Sequence, residues 1–211
     1  VIVGNDIVDR LAAGVPSERF VARVLTPTER ALAAEAPDGT AFVWRLWAAK
    51  EAAYKVLARA DGELPFAHRR FHVDPAAAVV RHERGQVTVR WAEDGAALVC
   101  WAWLGADAGP LACRVATVEE AEAVPYALST LEGAGDGASR AVRRLAKWLL
   151  ATMLGREPDA FEIRRPERPA PARGAGPPEV WLDGLRLEQV SLSLAHDGRF
   201  VSAAAGLRGA R

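Results

Sequence analysis

What the chain lacks narrows it first. Only two of its 211 residues are cysteine, Cys100 and Cys113. Two thiols cannot scaffold a disulfide-rich domain, and this pair has no metal-ligand spacing, so both read as buried thiols of a cytoplasmic protein. No apolar run reaches the length of a bilayer span, and the first residues lack the charged, apolar and small-residue succession of a signal peptide. No membrane is therefore expected as a partner. Net charge is zero, which speaks against nucleic acid. Lysine is scarce: of 27 basic residues only Lys50, Lys55 and Lys147 are lysine. Two of the three flank Glu51. Lysine kept where arginine is the rule points to a compact ammonium that a guanidinium cannot replace.

What remains suffices for one large domain or two small ones with a real core. Half of the residues are apolar and about a quarter are charged. Residues 1–8 read as a short buried strand that delivers Asp6 and Asp9 at its C-terminal end. A short helix is predicted over 17–24. Thr26-Pro27-Thr28-Glu29 is a helix start with a capping box. The clearest helix spans 41–59, with Leu46, Ala49, Ala53, Val56 and Leu57 on one face and Trp47, Glu51 and Lys55 at i, i+4, i+8 on another. Strands are predicted over 69–75, 78–82, 86–91, 97–104 and 111–118, the last two as a hairpin. Residues 119–138, acidic and then glycine-rich, read as a linker. A second helix over 139–154 carries Arg140, Arg143, Arg144 and Lys147 away from its apolar face and closes at Gly155. Strands follow over 161–164, 179–182, 189–194 and 199–205, interrupted by a proline- and glycine-rich loop over 165–178. The fold class is α+β, in two halves: residues 1–120, a linker over 121–138, and residues 139–211.

Asp6, Asp9 and Glu51 are candidate ligands of a hard cation, since Mg²⁺ takes one or two carboxylates plus substrate phosphates. Lys55, one turn from Glu51, would reach the same phosphates, an arrangement suited to attack at phosphorus. Each piece also has an ordinary reading. Glu51 and Lys55 make a common surface pair, the aspartates cap turns, and His196 sits before a turn.

Taken together the pieces carry a resemblance. Gly4-Asn5-Asp6-Ile7-Val8-Asp9 resembles the first signature of the 4'-phosphopantetheinyl transferase superfamily, and Trp47-Ala48-Ala49-Lys50-Glu51-Ala52-Ala53-Tyr54-Lys55 resembles its second. Phe20 to Glu29 (FVARVLTPTE) is similar to the stretch between them in holo-acyl-carrier-protein synthases, and Val190 to Gly198 (VSLSLAHDG) to a later serine–histidine segment. Two places depart from the pattern. Ala195 stands where the family has serine, and Gly176-Pro177-Pro178 lacks the lysine of a Gly-Lys-Pro loop, leaving Arg173 as its substitute. The metal half leads here, so the chain resembles either a permuted two-half enzyme or a small synthase with a long insertion. The helix over 139–154 favours two halves.

The resemblance implies an α+β pseudo-twofold fold with its active site in the cleft between the halves. It implies Mg²⁺-dependent transfer of phosphopantetheine from coenzyme A to a serine of an apo acyl or peptidyl carrier protein. Asp6, Glu51 and Asp9 would hold the metal, with Glu51, Lys55 and Asp6 catalytic. Lys50, Lys55, Arg144, Arg173, Ser193 and His196 would hold the coenzyme, and Arg19 and Arg23 would meet the carrier. A monomer is expected. The rival readings are a catalytically silent coenzyme A- or carrier-binding relative and a structural protein that reuses the fold.

Overall fold

The computed structural model describes residues 1–62, 64–105, 111–128, 132, 135–166 and 176–207. Arg173 lies outside the described residues. The chain opens with β1 (Ile2–Asp9), a single turn α1 (Arg10–Ala13), and helices α2 (Glu18–Val24), α3 (Pro27–Glu35) and α4 (Gly39–Asp61). The Thr26–Glu29 capping box forms as expected. After a 3-10 turn at His68–Arg70 come β2 (His72–Asp74), β3 (Val79–His82), β4 (Gly85–Asp94) and β5 (Ala97–Leu104). These make an antiparallel sheet in the order β1-β5-β4-β3-β2. Helix α4 buries Leu46, Ala49, Ala53, Val56 and Leu57 against it.

Gly4 explains how closely strand and helix meet. A Cβ there would stand 2.2 Å from the Ala52 carbonyl oxygen. Only glycine lets β1 lie this near α4. Alternation along the strand then turns Asp6 to the same side.

Two expectations are corrected in the second part. β5 and β6 (Leu111–Thr117) do not form a hairpin, because β1 and β4 occupy both edges of β5. β6 pairs instead with β11 (Phe200–Leu207), which pairs with β10 (Val190–Asp197). β6 thus shares a sheet with the later strands. Within the expected linker, α5 (Val118–Glu122) forms behind its own capping box, Thr117 with Glu120. Helix α6 (Gly137–Leu154) follows, capped by Asp136 and closed by Gly155 in the left-handed conformation. A third sheet contains β7 (Phe161–Arg164), β8 (Glu179–Leu182) and β9 (Leu185–Arg186).

The first and second sheets meet along β1 and β10, not by main-chain pairing but by side chains. Ser191 Oγ accepts from the Val3 N–H and Ser193 Oγ from the Asn5 N–H, both at 3.0 Å, and Asp197 Oδ2 accepts from the Asp9 N–H at 2.8 Å. The rungs recur every second residue on both strands, so the strands run in the same direction in fixed register. The one missing rung falls at Ala195, opposite Ile7. On its other face Asn5 donates from Nδ2 to the Ser202 carbonyl and hydroxyl oxygens, both at 2.9 Å.

Candidate active site

Asp6, Glu51 and Lys55 converge. The Lys55 ammonium donates to Asp6 Oδ1 at 3.0 Å and to the Asn5 carbonyl oxygen at 2.7 Å. Burial pushes the Asp6 carboxyl above its ordinary range against the pull of Lys55, and the nearby Asp197 charge adds to the rise. Glu51 is pushed up to about 7, by burial first and by the Asp6 charge second, with Lys55 opposing. A carboxylate whose proton affinity is raised by a second one beside it suits a cation. Among the described residues no three His, Cys, Asp or Glu side chains converge as a metal-binding group. The donor set is therefore a carboxylate pair, which fits Mg²⁺ only if other oxygens complete its shell.

Three cavities with shared wall residues surround this group. One is lined by Phe20, Trp44, Trp47 and Glu51, with Asp6 and His196 at its polar side. Asp6 and His196 also line the second, together with Lys55, Ser139, Arg143 and Arg165. Lys55 and Arg165 continue into the third, which holds Tyr54, Arg59, Pro177 and Ser193. An aromatic wall thus adjoins one side of the carboxylates and a basic, serine-bearing wall the other. The Phe20 ring lies tilted against both Trp44 and Trp47, with centroids 5.2 Å apart in each pair. Exposed Arg23 lies over Phe20 at 5.9 Å, and Arg19 is exposed on the same helix.

Lys50, Asp9 and Arg144 make other contacts. Lys50 is fully buried and spends its donors on Glu29 Oε2 (2.7 Å), the Phe71 carbonyl (2.7 Å) and the His68 carbonyl (3.1 Å). It ties α4 to α3 and has no surface for a ligand. Asp9, expected beside the metal, has its carboxylate held by Arg199, Nε to Oδ2 and Nη2 to Oδ1, each at 2.8 Å. The guanidinium holds its carboxyl far below the usual range. Arg144 donates from Nε to the Tyr126 carbonyl at 3.3 Å, whereas its neighbour Arg143 lines the cavity. Ser193 Oγ lines a cavity while accepting from Asn5.

Sequence reasoning missed Arg59, Arg143, Arg165 and Asp197 as wall residues. Arg59 had a signal, since it extends the 47, 51, 55 stripe by one more turn. Arg143 had a weaker one, one turn after Ser139. Asp197 was hidden in a sequence that reads as a turn.

The chain is similar to the Thermotoga maritima holo-[acyl-carrier-protein] synthase at 23% identity, with a TM-score of 0.40 over 54% of this chain and 68% of that one. No curated protein matches it. The family model of the 4'-phosphopantetheinyl transferase superfamily matches residues 2–116, more than half of the chain and the stretch that carries Asp6, Glu51 and Lys55. The chain belongs to the 4'-phosphopantetheinyl transferase superfamily.

Proposed function

We propose that the protein transfers 4'-phosphopantetheine from coenzyme A to a serine of an apo carrier protein. The convergence of Asp6, Glu51 and Lys55 on one point between an aromatic and a basic wall carries this reading. Asp6 and Glu51 would hold Mg²⁺, which when bound neutralises charge on the diphosphate. Glu51, with a pKa near neutrality, is matched to accept the proton of the carrier serine hydroxyl. The serine oxygen forms its bond to the β-phosphorus, the bond from that phosphorus to the bridging oxygen breaks, and 3',5'-ADP leaves with the electron pair. Lys55 offsets the charge that develops on the leaving diphosphate. Arg143, Arg165, Arg59 and His196 supply the basic wall for the nucleotide phosphates. The aromatic wall, with Arg19 and Arg23 on its rim, faces the carrier.

The site is read as a cleft between two related halves, divided between β5 and β6. Two observations support this. The first sheet runs β1-β5-β4-β3-β2, and the later strands repeat the pattern as β6-β11-β10 and β9-β8-β7. Each half also buries one lysine of its long helix against an upstream glutamate. Lys50 pairs with Glu29, which accepts the Val73 N–H, and Lys147 pairs with Glu132, which accepts the Ile163 N–H. One residue after Lys147 stands Trp148, and five after stands Thr152, where the first half has Glu51 and Lys55. Only one half therefore carries the carboxylate and the ammonium, and one chain supplies one site as a monomer.

The missing rung at Ala195 favours a second reading, a relative that binds coenzyme A without transfer. Mass spectrometry of an apo carrier after incubation with coenzyme A, with Mg²⁺ or with EDTA, separates the two. A gain of one phosphopantetheine arm only with Mg²⁺ supports the transferase. Bound coenzyme A with no gain on several carriers supports the silent relative.

A further inference from the structure

The second sheet is fastened to the first most firmly at the far end of β1, beside the site rather than in it. Asp9 has a carboxylate with no solvent exposure, while the Arg199 side chain is 56% exposed. The guanidinium grips it with two parallel 2.8 Å bonds, and the Arg199 N–H adds a third at 3.2 Å. Asp9 Oδ1 also accepts from the Leu11 and Ala12 N–H groups, so the same carboxylate caps α1. In return the Asp9 N–H donates to Asp197 Oδ2. Gly198, between the two contact points, has φ +51°, and a Cβ there would stand 2.7 Å from Asp9 Oδ2. The β10–β11 turn is thus closed down onto Asp9 on three sides.

Neither Asp9 nor Arg199 lines the three cavities, but the residues they lock together do. Asp6 lies three residues before Asp9 on an extended strand, about 10 Å away. His196 and Asp197 directly precede the clamped turn, and both line the cavity that Glu51 shares with Asp6. The rung that would hold β10 to β1 at this level is the missing one, at Ala195. Beyond that gap from the Ser193–Asn5 rung, the clamp and the Asp9–Asp197 bond fix the end of β10 that carries His196.

We infer that Asp9 and Arg199 are positioning residues, whose two-bonded ion pair holds the His196–Asp197 wall in register with Asp6 for coenzyme A. This inference rests on the functional reading above. A two-point grip sets both distance and orientation, and an ammonium keeps the charge but only one point of contact. A purely structural pair would show itself in the melting temperature alone.

The test uses the full chain with Arg199→Lys, Arg199→Gln and Gly198→Ala. Circular dichroism at the assay temperature establishes that each is folded, and calorimetric titration with coenzyme A in Mg²⁺ gives Kd. Arg199→Lys is expected to stay folded and yet bind coenzyme A on the order of 10-fold more weakly, with KM for coenzyme A rising in parallel and kcat falling less. Gly198→Ala, which moves the turn without changing any charge, is expected to do the same. It carries the test with Arg199→Lys if Arg199→Gln fails to fold. Folded variants whose Kd stays within about twofold of the natural chain would overturn the inference. Failure of the natural chain itself to bind coenzyme A would overturn the functional reading and this inference with it.

Discussion

Lys55 gives its ammonium to Asp6 at 3.0 Å while standing one helical turn from Glu51, so one cation faces two half-buried carboxylates. The imbalance has a measurable sign. Glu51 has a folded-state pKa of about 7 against an ordinary 4.5, so the folded protein binds more protons than the unfolded one between those values. Stability must then fall as pH rises through that window. The metal-free protein is expected to lose stability from pH 5 to pH 8, on the order of 2 kcal/mol after allowance for partial exposure. Glu51→Gln should flatten this part of the profile, and Mg²⁺ with coenzyme A should restore the natural chain at pH 8. Thermal melting across pH checks it, and an identical slope in Glu51→Gln would remove Glu51 as the source.

The same substitution tests chemistry. Glu51→Gln keeps the shape of the side chain but cannot take a proton. Its kcat is expected to fall by about 10²–10⁴ with coenzyme A binding weakened but present. Ordinary turnover, measured as 3',5'-ADP release, would exclude Glu51 from the reaction.

Lys50 and Lys55 should separate cleanly. Lys50 is sealed among Glu29 and two carbonyls. Lys50→Met leaves Glu29 buried without its counter-charge, and a loss of about 3–5 kcal/mol in unfolding free energy is expected. The fraction that stays folded should bind coenzyme A as before. Lys55→Met should have the opposite pattern, a small change in stability with a large loss of rate. Even Lys55→Arg should be slow, because the planar guanidinium does not fit where one ammonium bridges Asp6 and the Asn5 carbonyl. Urea unfolding and steady-state kinetics on the same preparations decide it.

These two lysines also mark how far the sequence can be read. Helical spacing correctly put Trp47, Glu51 and Lys55 on one stripe of α4 and the alanine and leucine positions in the core. It could not tell that Lys50 points inward, since its partner Glu29 comes from another helix and its carbonyls from a later turn. The Arg199 contact of Asp9 was hidden for the same reason. An aspartate three residues after a candidate ligand aspartate looks like a second candidate until Arg199, 190 residues away, closes on it. Local signals such as the Thr26–Glu29 box and Gly155 were legible because both partners lie within one turn. The Thr117–Glu120 box was equally local, but the acidic run around it read as a linker. The β5–β6 hairpin was the natural expectation for strands adjacent in sequence, and it gave way because β1 and β4 already saturate both edges of β5.

Arg143 and Arg144 provide a test of side-chain direction on α6. Arg143 lines the basic wall, and Arg144 is spent on the Tyr126 carbonyl. Arg143→Ala is expected to raise KM for coenzyme A about 10-fold, the equivalent of about 1.4 kcal/mol. Arg144→Ala should leave KM within about twofold while lowering stability slightly. The reverse order would mean that α6 presents a different face to the nucleotide.

The rim of the aromatic wall predicts how the carrier arrives. Arg19 and Arg23 are exposed on α2, and Arg23 lies over Phe20, which forms the wall with Trp44 and Trp47. Rim charges chiefly steer encounter, while a buried aromatic anchors the complex. Arg19→Glu and Arg23→Glu together should raise KM for an acidic carrier by about 10-fold at low salt, and the effect should shrink as ionic strength rises. Trp47→Ala should raise KM for the carrier at every salt concentration. Neither change should alter coenzyme A binding measured without carrier, because the basic wall lies on the other side of Asp6 and Glu51. A salt-independent effect of the arginine reversals, or a loss of coenzyme A binding with them, would place the carrier on a different face of the protein.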